Sequence, residues 1–454
     1  MIDETTRAIS SLLSRNDMRE VFSKGEKPPL QKGIGIEREC FLYRCDTKRR
    51  LVYTEIEKLL RDYIDHDSLH SSSAVMEKGN IIGVNFVSSP VNPQFVSGEN
   101  DTPKRYTHSS LSLEPGGQFE VATRVHAHLH DAAKELDHVD QILEQLCQKH
   151  GFFRKDIGFE PFWTQNDLSW MPKGRYDIMR EYMPKVGSHG LDMMRRTCTL
   201  QVNLDYEDEQ NMADMMFVAH MLTPLAGALF AASPFYEGTL SPYTSYRHHV
   251  WQNTDHNRSG LIPAAFQLKE GKPSMRYDDY VDYLLSVPMY FVSRGGYKNY
   301  AGKSFSDFIR GDFAQDIGHA TLDDFYDHMT VAFPEVRLKT FIEIRCIDAS
   351  PVAFSAAAFF VGILYNKTVL HSAIDYIVHE LNWDFETVKK QYDAFPKQGL
   401  RENDWAIAKV FLDLSRKGLK DRDFGEEIYL KDLQDIIETK TTYSDTIKQN
   451  NSFI

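Results

Sequence analysis

Thr197-Cys-Thr-Leu-Gln-Val-Asn-Leu-Asp205 alternates polar and apolar residues without a break. Successive side chains of a strand point to opposite faces. This stretch therefore puts Thr197, Thr199, Gln201, Asn203 and Asp205 on one side, and Cys198, Leu200, Val202 and Leu204 on the other. The apolar side is fit to face a core, while the other carries amides and hydroxyls. The same split recurs in Arg337 to Arg345, with Arg337, Lys339, Phe341, Glu343 and Arg345 opposite Leu338, Thr340, Ile342 and Ile344. In Gly33 to Leu42 it sets the carboxylates of Glu37 and Glu39 side by side.

Around Pro115, the stretch Leu111 to Thr123 reads as strand, turn, strand, with Gln118 and Glu120 on one face and Glu114 near the turn. Each segment alone also reads as an ordinary antiparallel strand with a solvated face. Jointly they supply Glu37, Glu39, Glu114, Glu120 and Glu343, with Gln118 and Gln201 as neutral acceptors. Hard divalent cations take oxygen ligands of this kind, and Mg²⁺ in phosphoryl transfer bridges carboxylates to phosphates.

Outward from these strands, helices are expected at 4–23, 55–63, 131–150 and 212–232, with further strands at 81–89 and 152–162. Strands are read at 195–206 and 337–347, polar connections at 97–108 and 269–277, and mostly helix from Ser355 onward. Mixed order without clean βαβ alternation points to an α+β architecture around a largely antiparallel sheet. One unit spanning 1–454 is expected, with an N-terminal helical segment at 1–30 and a mainly helical part at 366–454. The uncharged run Met215 to Phe235 is long enough to test as a membrane span, but His220, Thr223, Pro224 and its small residues suit a buried core helix.

The 454 residues carry a formal net charge of −13, which argues against a general nucleic-acid binder, so an anionic substrate has to meet local arginines. Five scattered cysteines, without a CxxC pair or zinc spacing, suit a reduced compartment. The acidic stretch Met1 to Glu20 lacks the apolar region of a secretory signal and does not read as a transit peptide, so a cytoplasmic location is expected.

Gly35-Ile-Glu-Arg-Glu39, Leu113-Glu-Pro-Gly-Gly-Gln-Phe-Glu120, Met171-Pro-Lys-Gly-Arg-Tyr-Asp-Ile-Met179, Arg196-Thr-Cys-Thr-Leu-Gln-Val-Asn-Leu-Asp205 and Phe333-Pro-Glu-Val-Arg-Leu-Lys339 resemble the glutamate–cysteine ligases of plants and proteobacteria. The resemblance runs from about Gly33 to Tyr365. More distantly, the motif order is similar to that of glutamine synthetase, whose active site lies in a curved, funnel-like antiparallel sheet surrounded by helices. The resemblance implies ATP-dependent joining of the L-glutamate γ-carboxylate to the L-cysteine amine through γ-glutamyl phosphate, the first step of glutathione synthesis. It also implies two or three Mg²⁺ ions.

Carried over, Glu37, Glu39, Glu114, Glu120, Gln201 and Glu343 are implied metal ligands. Arg345 and Arg258 are implied catalytic arginines on phosphate, and Arg247, with Tyr246 beside it, is implied to bind substrate. Implied partners are ATP, L-glutamate and L-cysteine, with neither nucleic acid nor membrane, in a monomer or homodimer. A γ-glutamyl ligase with another amine acceptor and a catalytically silent binding homologue remain as alternatives.

Three departures mark this chain. It has no cysteine after Cys346, where the plant enzymes carry a regulatory one. Glu343-Ile-Arg-Cys-Ile-Asp-Ala349 puts a cysteine in a motif that otherwise has glycine, and Ala122-Thr-Arg124 replaces a small polar stretch.

Overall fold

The computed structural model describes residues 12–66, 72–87 and 108–450. The polar connection expected at 97–108 lies outside them except for His108, as does the beginning of the first helix. The described part of that helix, α1 (Arg15–Ser23), starts at a capping box in which Ser14 and Asp17 satisfy each other's backbone N–H groups.

The centre is one nine-stranded sheet. In chain order its strands are β1 (Ile34–Arg44), β2 (Ser73–Glu77), β3 (Asn80–Phe86), β4 (Ser109–Leu113), β5 (Phe119–Ala122), β6 (Phe152–Lys155), β7 (Thr199–Leu204), β8 (Val336–Leu338) and β9 (Ile342–Asp348). The order across the sheet is β8-β9-β7-β1-β5-β4-β3-β2, and β6 pairs with the far end of β1. Every pairing is antiparallel.

Register converts the polar faces of the separate strands into one surface. Glu37 lies between Ala122 and Gln201, Glu39 lies opposite Glu120, and Asn203 lies opposite Glu343, which in turn faces Arg337. The reverse face carries Ile36, Val121, Leu200, Val202, Ile342 and Ile344, all buried in the main core. Burying such side chains contributes roughly 1.5–3 kcal/mol each.

Against this core packs α6 (Glu209–Leu229), started by Asp208, whose side chain accepts from the Asn211 N–H. It is long and apolar enough to cross a membrane, yet its most apolar stretch is entirely enclosed by protein, as a core helix requires. Other helices used below are α2 (Tyr53–His66), α3 (Leu129–His150), α4 (Arg175–Tyr182), α5 (Gly190–Arg196) and α7 (Tyr246–Gln252).

Three expected strands differ from those observed. The 337–347 segment is a hairpin, β8–β9, turning through Lys339 to Phe341. The 195–206 strand begins only at Thr199, because Arg195 and Arg196 form the last turn of α5. The strand from Phe152 ends at Lys155, where its four-residue ladder with β1 ends.

Candidate active site

The β4–β5 turn is built to bring a carboxylate to the sheet. The Glu114 backbone carbonyl accepts from the Gly117 N–H at 2.9 Å, and Gly117 takes a left-handed φ of +77° that glycine adopts without strain. Gly116 is required for a different reason: a Cβ there would lie 2.5 Å from the Arg195 carbonyl oxygen. Gln118 locks the turn to the neighbouring segment. Its Oε1 accepts from Gly116 N–H at 2.9 Å, and its Nε2 donates to the carbonyls of Met194 (3.1 Å) and Thr197 (3.0 Å). All three contacts are structural, so its amide is not a spare acceptor.

Above the polar face lies a pocket lined by Glu39, Glu114, Arg247 and Arg345 together with side chains from α4, α5 and α7. Arg175 and Tyr176 enter from α4, Met193 and Met194 from α5, and Trp251 from α7. One wall is acidic. Loss of solvent raises the proton affinity of Glu39 well above the usual carboxylate range, and repulsion from Glu120 and Glu114 adds to it. Glu120 is raised for the same reasons, with Glu114 and Glu37 as its repelling neighbours.

Some of this charge has hydrogen-bond support: Glu39 accepts from the Thr199 N–H at 2.8 Å, Glu120 from Ser112 Oγ at 2.9 Å, and Glu37 from Asn203 Nδ2 at 2.8 Å. These neutral donors leave the shortage of positive charge in place. Among the described residues, no three acidic, imidazole or thiol groups converge as a ready-made metal cage. The donor set still suits Mg²⁺, which keeps several waters and needs only one or two carboxylates beside substrate phosphates.

Glu343 differs from these four. It is fully buried and paired with Arg337, with Lys339 Nζ at 2.8 Å and with Arg345 Nη1 at 3.0 Å. Burial alone would raise its proton affinity, but the three cations outweigh it and hold the carboxyl well below the usual range. Gln201 Oε1 accepts from Arg345 Nη1 at 2.6 Å. Both residues, implied as metal ligands, thus hold an arginine here.

The same pocket also offers donors. Among the described residues, Arg247 Nη1, Trp251 Nε1 and Arg345 Nε are buried without a protein hydrogen-bond acceptor. Buried donors are almost always satisfied, so three unpaired ones around one pocket mark a place for anionic oxygens. Arg247 and Arg258 are fully enclosed, though the sequence around them reads as loop.

Arg258 does not line the pocket. It pairs with Asp255 at 2.6 Å, donates to the Val331 carbonyl at 3.0 Å and covers the Tyr290 ring, 3.9 Å from its centroid. Tyr246 likewise lies apart from the lining, stacked on Tyr236 with ring centroids 4.6 Å apart. The Arg196 guanidinium is held by Asp192 and Glu237, and that of Arg195 by the carbonyls of Leu168 and Gln165. The aromatic and thioether walls at Trp251, Phe291, Phe333 and Met193 were not singled out by sequence, because they meet only through tertiary approach.

An acidic sheet face that shares one pocket with unpaired arginine and indole donors defines a class: an α+β protein whose cleft accommodates cations and anionic substrates together. A glutamate–cysteine ligase of Francisella tularensis, solved in complex with AMP, shares the fold at a TM-score of 0.56 over 93% of this chain and 85% of its own, with 13% identity. The chain belongs to glutamate–cysteine ligase family 2, an enzyme family whose model matches residues 34–451.

Over 440 residues it is 37% identical to glutamate–cysteine ligase A of rice (Oryza sativa subsp. indica), covering 95% of this chain and 83% of that one. It is equally 37% identical to the tobacco enzyme (Nicotiana tabacum), covering 95% and 78%. Both relatives are designated chloroplastic, and that finding overturns the cytoplasmic location expected from the sequence.

Proposed function

We propose that this chain joins the γ-carboxylate of L-glutamate to the amino group of L-cysteine at the expense of ATP, giving γ-glutamylcysteine, ADP and phosphate. The observation that carries this reading is that Arg247 and Arg345 line one pocket together with Glu39 and Glu114. The family and its relatives supply the reaction class. ATP use accords with membership of a ligase family and with a neighbour of the same fold solved with AMP.

A carboxylate is a poor acyl donor at neutral pH and has to be activated. Its γ-oxygen attacks the γ-phosphorus of ATP, the bond to ADP breaks, and γ-glutamyl phosphate forms. The amine of cysteine then attacks the acyl carbon and phosphate leaves. Such transfers rest on positioning and charge neutralisation.

Arg247 would grip the glutamate α-carboxylate through its unpaired Nη1, while Arg345 Nε would meet charge building on the transferred phosphoryl group. Glu343 and Gln201 keep the Arg345 guanidinium aimed. Glu37, Glu39, Glu114 and Glu120 would hold Mg²⁺, which when bound neutralises phosphate charge. Glu343 and Gln201 would join that set only by releasing Arg345. Arg258 acts on phosphate only if the wall formed with Asp255 and Tyr290 opens, so its part is support of that wall.

The test is ADP release by purified protein with MgATP and L-glutamate, with and without L-cysteine, followed by mass analysis of the product. Cysteine-dependent ADP release with γ-glutamylcysteine formed is the expected result. ADP release only with an amine other than cysteine would move the acceptor assignment, and no release with any amine would overturn the reading.

A further inference from the structure

The β8–β9 hairpin does more than carry Arg345. The ladder between β9 and β7 shifts register between Ile344 and Ile347. Such a bulge re-aims the groups within it. The freed Arg345 carbonyl accepts from Arg247 Nη2 at 2.8 Å, and Thr199 Oγ1 donates to the Ile347 carbonyl at 2.7 Å. At the end of the same strand, Asp348 is fully buried, with Oδ1 3.6 Å from Arg247 Nη1. Both pocket arginines therefore depend on one irregular stretch of β9.

Asp348 is itself closely held. Oδ2 accepts from Ser233 Oγ at 2.6 Å and from the Ala232 N–H at 2.9 Å, while Ser245 Oγ lies 3.1 Å from Oδ1 and 3.0 Å from Oδ2. His248 Nδ1 lies 3.4 Å from Oδ1 and 2.8 Å from Ser245 Oγ. Ser245 caps α7 by accepting from the His248 N–H, and Ser233 Oγ accepts from the Arg247 N–H at 3.2 Å. Opposite, Gly158 leaves room for the carboxylate: a Cβ there would come within 2.5 Å of Asp348 Cγ.

We propose that Asp348 is a positioning residue for glutamate recognition: with Ser233 and Ser245 it fixes both the helix that carries Arg247 and the direction of its guanidinium. The carboxylate sits behind Arg247 and outside the pocket lining, so it touches no substrate. Its negative charge orients the arginine, while Nη1 stays without a close acceptor and free for the incoming carboxylate. A guanidinium with only the Arg345 carbonyl behind it would have several rotamers open to it, and ordering it would weaken binding. This inference rests on the ligase reading, since it assigns Arg247 to glutamate.

The experiment compares wild type, Asp348→Asn and Ser233→Ala for KM of L-glutamate, KM of ATP, kcat and melting temperature. It adds calorimetric titration of L-glutamate in the presence of a non-hydrolysable ATP analogue and Mg²⁺. Asp348→Asn is expected to raise the glutamate KM and dissociation constant about 10- to 100-fold, the range a displaced binding group costs, with the ATP KM within about twofold of wild type. Ser233→Ala is expected to raise the glutamate KM by a smaller factor in the same direction.

A lowered melting temperature with an unchanged glutamate constant in the folded protein would make Asp348 purely structural and overturn the proposal. If Asp348→Asn does not fold, Ser233→Ala decides, and an unchanged glutamate KM there overturns it equally. Inactive wild type would instead sink the ligase reading, so the two failures are distinguishable.

Discussion

Arg345 Nη1 donates to Gln201 Oε1 at 2.6 Å across the sheet, so a neutral amide on β7 aims the cation supplied by β9. A hydrogen bond to a charged group is worth roughly 1.5–3 kcal/mol. If that bond matters chiefly when phosphoryl charge develops, Gln201→Leu should lower kcat by about 10- to 100-fold while leaving the glutamate KM near wild type. Steady-state ADP release against each substrate measures the split. A kcat equal to wild type would remove Gln201 from the support of Arg345.

Arg345→Ala removes the donor itself. Loss of one group that stabilises transition-state charge costs on the order of 10²–10³ in kcat. The variant should be folded by circular dichroism, because Glu343 keeps Arg337 and Lys339 as partners. Turnover equal to wild type would strike Arg345 from the mechanism.

Much of this arrangement is legible in the residues themselves, and the places where it is not have definite causes. Period-2 alternation put Glu37, Glu39, Gln201 and Glu343 on polar faces, and register then joined them into one. The Arg337–Ile347 hairpin passed for a single strand because Arg337 and Glu343 are an even number of residues apart. They share a face in a straight strand, and as cross-strand partners they share one in the hairpin too. Arg247 looked like a loop residue because α7 has only seven residues, too few for an apolar period to show, although its capping Ser245 was present as a signal. Arg258 and Tyr246 share motifs with functional residues yet pack into neighbouring walls, which spacing along the chain does not encode.

Two histidines give the fold an acid limb unrelated to the site. His220 within α6 and His328 against the Leu284 carbonyl are buried, and burial depresses both to about 4 from the usual 6.5. Between those values the unfolded chain binds protons that the folded chain does not. Stability is therefore fully present above pH 6.5 and is lost as pH falls toward 4. Each group contributes on the order of 3 kcal/mol over the whole window and about 2 kcal/mol by pH 5. The urea midpoint of wild type should accordingly fall more steeply than that of His220→Leu as pH falls from 7 to 5. Parallel curves would show that His220 does not carry this dependence.

The two groups of glutamates should separate in their response to Mg²⁺. Glu39 and Glu114 belong to a wall short of positive charge, whereas Glu343 is already neutralised by Arg337, Lys339 and Arg345. Glu39→Gln and Glu114→Gln should raise the Mg²⁺ concentration for half-maximal activity by about tenfold or more, since even outer-shell partners of a metal are worth that much. Excess Mg²⁺ should recover part of the lost rate in both. Glu343→Gln should instead lower kcat with little change in Mg²⁺ half-saturation, because it loosens Arg345 rather than a cation. Titrating Mg²⁺ at fixed ATP in all three variants reads the difference directly. If Glu343→Gln shows the large Mg²⁺ shift and the other two do not, the cation sits at the β9 end of the sheet and the acidic wall has another role.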